Sequence, residues 1–206
     1  MRERPILFSS PMVRAILRDE NPKTQTRRVI KPQPFLAIDG KWYQEAPGSY
    51  PQEHKYWKCP YGQPGDRLWV RERFQIRTPF TGDLASDISN PHVLYYADDN
   101  ERYRDRDKWK PSIHMPRWAS RITLEITGVR VERIQDMNFY DWAADFCPSK
   151  LEQERALASF VGQKNMVDMA KTFWDSINAK RGFGWDTNPW VWVIEFKRVE
   201  DERRKP

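Results

Sequence analysis

The chain has 206 residues, with 35 lysines and arginines against 29 aspartates and glutamates, and a formal net charge of +6. That length allows one domain, at most two, with a core that needs no disulfide or metal staple. Two cysteines outside any CxxC spacing (Cys59, Cys147) and three scattered histidines (His54, His92, His114) offer no metal-ligand pattern; no stretch has the length of a membrane span; and ten tryptophans speak against a disordered chain.

In chain order, RPILFS predicts a strand from Arg4 to Ser9. SSPMVRAILRDENP predicts a helix, with Ser10 as N-cap, Pro11 in the first turn, and Val13, Ile16 and Leu17 on one apolar face. Asn21-Pro22 stops that helix, because a residue before proline avoids helical geometry. The segment Lys23 to Arg28 then lies outside it, and TRRVIKP suits a second strand. A long excursion rich in Pro, Gly, Tyr and Trp follows, with a hairpin expected at AIDGKWYQE. PGDRLWVRERF predicts a turn and a strand from Arg67 to Phe74, with Leu68 and Val70 facing one way and Trp69 and Arg71 the other.

A polar loop from Thr78 to Pro91 leads to a strand at HVLYYADD, and the charged RYRDRDKWKPSIHMPRWASR, with its two prolines, reads as irregular. The clearest strand is RITLEITGVRVERI, Arg121 to Ile134, kinked at Gly128. DMNFYDWAADF predicts a short helix. Leu151 to Lys180 predicts a longer one, with Met166, Ala170, Phe173, Trp174 and Ile177 on one face and Gly182 as its C-terminal cap. NPWVWVIEFKRV closes the chain as a strand apolar on both faces, which belongs inside a sheet. Residues 201–206 form a charged tail. Strands spread along the chain without regular βαβ alternation predict an α+β fold on a mixed or closed sheet.

Taken together and in order, the helix followed by PKTQTRR, the PGDRLWVRE strand, the RITLEITGVRVERIQDM strand, the short helix DWAADF and the final WDSINAKRGFGWDTNPWVWVIEFKRV resemble an ASCH-domain protein. More narrowly, they resemble the larger ASCH proteins of tailed phages and prophages. The resemblance implies a PUA-like fold, a small β-barrel flanked by helices, as a single domain over 1–200 with insertions at about 33–64 and 77–116. The barrel would include strands near 67–73, 121–134 and 189–199, with the helix at 11–20 packed at one mouth. The resemblance also implies a cleft facing nucleic acid or a modified nucleoside; the expectation is of no cofactor and no metal, and of a cytoplasmic place, read from the lack of a membrane-length segment, in a bacterial host if the chain is phage-encoded.

One small ASCH enzyme type hydrolyses N4-acetylcytidine to cytidine and acetate. Its pattern is a Lys-Thr-x-Thr turn and a Glu in the short helix after the central strand. By that likeness Lys23 and Thr26 fall on the catalytic Lys and Thr, and Asp145 falls near the Glu. Asp145 is one methylene shorter, which makes its reach the critical geometric question and Asp145→Glu the sharpest test of the site.

The chemistry of these residue types is coherent. A threonine hydroxyl is a weak nucleophile until a base takes its proton, and a lysine can be that base. Lys23 and Thr26 cooperate only if residues 22–24 turn, because residues three apart on a strand face opposite sides. The residues expected to bind substrate or nucleic acid are Thr24, Arg27, Arg28, Trp69, Glu72, His114, Arg117, Trp118 and Arg121. The arginines would hold a phosphate or an oxyanion, Trp118 would stack on a base, and Trp69 and Glu72 would line the cleft. Lys23, Arg27, Arg28, Arg117 and Arg121 are expected in one positive cleft. Three functions stay open at this point: an amide hydrolase of N4-acylated cytidine, a non-catalytic reader of RNA, single-stranded nucleic acid or a modified base, and a ribonuclease. So does a plainer reading, in which the basic residues are solvated turn charges and Trp118 anchors a loop.

Overall fold

A computed structural model describes residues 1–44, 50–53, 57–77, 92–98, 109–146 and 160–199. His54, the Thr78–Pro91 loop, Cys147, the start of the helix expected from Leu151 and the 201–206 tail lie outside them.

The fold is α+β. Five strands form the central sheet: β1 (Glu3–Leu7), β2 (Gln25–Val29), β6 (Arg67–Arg71), β9 (Thr123–Arg133) and β10 (Trp190–Val199), in the spatial order β1-β6-β9-β10-β2. β1 pairs with β6 in parallel, and the other neighbours are antiparallel. β10 lies inside the sheet, as its two apolar faces require. Trp192, Ile194 and Phe196 join Ile6, Phe8, Val13, Leu68 and Leu124 on one side. Val191 and Val193 join Trp142, Met166, Trp174 and Trp185 on the other. Each such side chain taken fully out of water is worth about 1.5–3 kcal/mol, so the sheet is held from both faces.

The helices supply those faces. α1 (Ser10–Leu17) buries Val13, Ala15 and Ile16 against the first core. Its cap position is Ser9, extended at φ −73° and ψ 158°, one residue earlier than expected. The helix also ends earlier, because Arg18 is already extended. Asn21 takes a left-handed φ of 47° and turns the chain before Pro22. α2 (Phe139–Phe146) and α3 (Phe160–Asn178) bring Trp142, Met166, Ala170 and Trp174 to the second core. A 3-10 turn at Ala179–Arg181 ends at Gly182, whose φ of 82° suits a residue without Cβ.

The kink expected at Gly128 is a β-bulge. Glu195 sits opposite Gly128 and Phe196 opposite Ile126, so β9 carries one extra residue, Thr127. A Cβ on Gly128 would lie 2.5 Å from Glu195 Oε2, so a larger residue there would make the Glu195 side chain move.

The excursion after β2 is ordered where described. β3 (Phe35–Leu36), β4 (Trp42–Gln44) and β5 (Gln52–Glu53) form a small antiparallel sheet, with the expected tight turn at Gly40. Trp42 meets Trp190 edge-on at 5.0 Å and ties this sheet to the central one. A separate hairpin pairs β7 (Phe74–Arg77) with β8 (His92–Tyr95).

β1 and β2 are the two edges of the central sheet, and among the described residues no strand ladder joins them into the expected closed barrel. A side chain spans the gap instead: Arg28 Nη2 on β2 donates to Leu7 O on β1 at 2.7 Å. Among the described residues no helix is long and apolar enough to cross a membrane.

Candidate functional site

The turn that hands α1 to β2 is pinned by backbone bonds from three directions. Lys23 N donates to Ala15 O of α1 (3.0 Å), Thr24 N to Ala144 O of α2 (3.1 Å), and Phe196 N of β10 to Thr24 O (2.8 Å). These bonds carry Lys23 inward, and it is one of the largest fully buried side chains in the protein. Its Nζ meets both the carboxylate and the backbone carbonyl of Asp145. Thus Asp145 reaches Lys23 despite its short side chain. The last turn of α2 is itself hydrogen-bonded to the Lys23–Thr24 backbone, so the helix supplies the approach that a longer side chain would otherwise make.

Asp145 is shared. Its second oxygen accepts from Arg27 Nη1 at 3.2 Å. The Arg27 guanidinium lies also 3.4 Å from Asp141 Oδ1 and 3.5 Å from Glu132 Oε2, and Arg27 Nη1 donates to Gln25 Oε1 at 2.8 Å. Gln25 Nε2 in turn donates to Asp141 (3.1 Å), as does Arg130 Nη2 (2.5 Å). Arg130 also pairs with Glu132 and Glu195. Burial alone would raise the Asp141 pKa. The Gln25 hydrogen bond, Arg27, the Asn138 N–H and Arg130 outweigh it and hold the group below the usual carboxylate value. Sequence reasoning missed Asp141 and Gln25. The signal was present in DWAAD: residues four apart share a helix face, so Asp141 points where Asp145 points.

Beside this network, in the gap between β1 and β2, is a cavity of about 680 Å³. Thr26, Arg28 and Asp145 line it, with Trp192 from β10. Thr26 is buried and pairs with Ile194 in the β2–β10 ladder. The excursion contributes Gln44, Lys58 and Tyr61 to the wall, and α3 contributes Phe173 and Ile177. The partial exposure of Ile177, otherwise odd for the apolar face of α3, is explained by this position.

Of the expected residues, then, Lys23, Thr26, Asp145, Arg27 and Arg28 come together. The others do not join them. The Thr24 side chain is exposed outside the cavity, and its backbone carries the contacts. Glu72 is buried against Arg121, at 2.9 and 3.1 Å, and Arg121 also pairs with Asp98. Arg117 forms a two-pronged pair with Glu3 at 2.9 and 2.7 Å. Trp69 lies under the guanidinium groups of Arg71 and Arg117. His114 and Trp118 sit exposed on short 3-10 turns. The single positive cleft expected from Lys23, Arg27, Arg28, Arg117 and Arg121 is therefore replaced by two separate clusters. In the second, the carboxylates that neutralise the arginines come from distant parts of the chain.

Among the described residues no group of three His, Cys, Asp or Glu is gathered to hold a metal ion; the carboxylates of the first cluster surround cationic side chains instead. No family model, no curated protein and no solved structure matches the chain.

Proposed function

We propose that the chain is an amide hydrolase of an N4-acylated cytosine nucleoside, working on the PUA-like frame that the ASCH resemblance implies. One observation carries the reading: Thr26 and Asp145 line the same cavity, while Lys23 stands buried behind Asp145 in direct contact with it. Lys23 and Asp145 meet there across 122 positions of sequence. The cavity volume lies within the range of small-ligand sites, and aromatic side chains from Tyr61 and Trp192 offer faces for a base.

In this reading Thr26 Oγ attacks the acyl carbon, and its proton passes to Lys23 Nζ in the amine form. Asp145 orients that nitrogen and stabilises the ammonium produced. The tetrahedral intermediate breaks at the C–N bond. The N4 amine leaves with the proton returned by Lys23, and the acyl group stays on Thr26 as an ester. Water then attacks the ester, with Lys23 again the proton acceptor, and releases the acid and free Thr26. Atoms and protons balance without an oxidant or a cofactor.

The test is release of cytidine and acetate from N4-acetylcytidine. Wild type should turn over, and Thr26→Ala should fall to background. Lys23→Met, if folded by circular dichroism, should lose about 10²–10⁴-fold, the usual span for a proton-transfer group. Absence of cytidine with the wild type, or an undiminished rate in Thr26→Ala, overturns the proposal.

A further inference from the structure

The basic side chains of this protein divide by whether they meet a carboxylate. Arg27, Arg117, Arg121 and Arg130 all do. Six cations stand on the cavity wall: Arg27 meets carboxylates, whereas Arg28, Lys31, Lys58, Arg71 and Arg181 pair with none among the described residues. The one carboxylate on that wall, Asp145, is already held by Lys23 and Arg27. A cleft with a surplus of cations focuses a positive potential and favours an anionic ligand.

Arg28 gives this surplus a location. Its Nη2 is satisfied by a backbone carbonyl and its face lies over Phe8, but its Nε is buried without a hydrogen-bond partner. Burial lowers its pKa, and Arg181 adds to the effect, against the pull of Tyr61 and Asp145. A half-buried guanidinium with no carboxylate partner favours an anion beside it. Arg71 stands close by, since Arg71 is the strand partner of Leu7 and Leu7 O is the acceptor for Arg28. Its Nε donates to Met115 O and its guanidinium lies over Trp69, while the residue also lines the cavity wall. Lys58 comes from the same side, two residues before Pro60, whose carbonyl accepts from Arg4 of β1.

We propose that the cavity takes its cytosine as a nucleoside phosphate, with the phosphate seated among Arg28, Arg71 and Lys58, and not as the neutral nucleoside. Guanidinium groups match phosphate oxygens in pairs, and an exposed lysine adds a mobile charge at the mouth. The identity of the base rests on the amide-hydrolase reading; the preference for phosphate rests on the cations alone. The phosphate belongs either to a free mononucleotide or to a residue within a single strand.

Calorimetric titration with cytidine and with cytidine 5′-monophosphate tests this without any turnover. The monophosphate should bind about tenfold tighter or more, and the advantage should shrink as ionic strength rises. Lys58→Ala and Arg71→Ala should narrow the ratio while leaving cytidine binding in place. Lys58 is exposed, so its variant keeps the test valid if Arg71→Ala or Arg28→Lys fails to fold. Equal binding of the two ligands, or an unchanged ratio in Lys58→Ala and Arg71→Ala, overturns the proposal. A short single-stranded oligonucleotide containing cytidine, titrated alongside, separates the two sources. Hydrolysis of N4-acetylcytidine without a phosphate preference would sink this inference and leave the hydrolase standing. A phosphate preference without hydrolysis would do the reverse.

Discussion

The segment from Lys23 to Arg28 and the segment from Arg117 to Arg121 both place basic side chains against acidic ones, yet they do so under different conditions. In the first, the Lys23 and Arg27 side chains are 0% and 1% exposed and share Asp145. In the second, Arg117 and Arg121 remain 22% and 17% exposed, and each finds acids of its own. Water can take over from a lost partner at the second site but not at the first. Density of charge in the sequence therefore says less than the burial of the partners, and the deletions that follow should differ in cost for that reason.

The largest effect is expected for Asp145→Ala. It leaves the buried Lys23 and Arg27 side chains without the carboxylate they share, a change that costs about 3–5 kcal/mol when an ion pair is broken inside a protein. Urea denaturation gives the number directly. A loss no greater than that from removing Glu3 would erase the distinction between the two segments.

Asp145→Glu comes next and tests the same site by excess. The resemblance makes the longer acid look like a restoration. The structure points the other way, because the Thr24–Ala144 backbone bond already brings α2 as close as Asp145 needs. An added methylene there should cost about 1–3 kcal/mol in strain and lower the rate of N4-acetylcytidine hydrolysis. A faster and equally stable variant would show that Asp145 is strained to reach Lys23.

The parts of this architecture that were legible in the sequence are those set by local periodicity. The alternation in RLWVR placed Leu68 and Val70 in the core, and the double apolar run of WVWVIEF placed β10 inside the sheet. That KTQTRR lies outside the helix was legible from Pro22, although the helix already ends at Leu17. The partners of Arg117 and Arg121 were not legible. Glu3 and Glu72 lie 114 and 49 residues away, and only the β1–β6–β9 stacking brings them in. The cavity was hidden for the same reason, since its cations come from β2, the 57–61 loop, β6 and the end of α3. Asp141 could have been found from its spacing to Asp145, but nothing in the sequence says that Arg27 and Arg130 converge on it.

Asp141 allows a pH test of the buried network. Its folded pKa is lowered, so its contribution is present above the ordinary carboxylate value and disappears as pH falls through the lower folded value. Asp141→Asn should therefore lower the urea midpoint at neutral pH, and the gap from wild type should close in acid, below about pH 3.8. A gap that persists there would mean that the variant loses packing or hydrogen bonds and not a charge.

The smallest effect belongs to the outer segment. Glu3 and Arg117 meet through two hydrogen bonds, at 2.9 and 2.7 Å, which is good geometry for an ion pair. Both side chains nevertheless keep contact with water, at 31% and 22% exposure. Arg117 also donates to Thr123 Oγ1 at 3.2 Å and lies over Trp69, so loss of the acid does not strand it. Glu3→Gln should then cost under about 1 kcal/mol, the usual range for an exposed pair. Since solvent reaches the pair, added salt should shrink even that difference. The Asp145→Ala loss should hold at the same salt concentrations, because ions do not reach Lys23 or Arg27. Measuring both variants across one salt series separates the segments in a single experiment. If Glu3→Gln kept a salt-independent loss, the Arg117 cluster would have to be counted with the buried network, and the contrast between the two segments would fail.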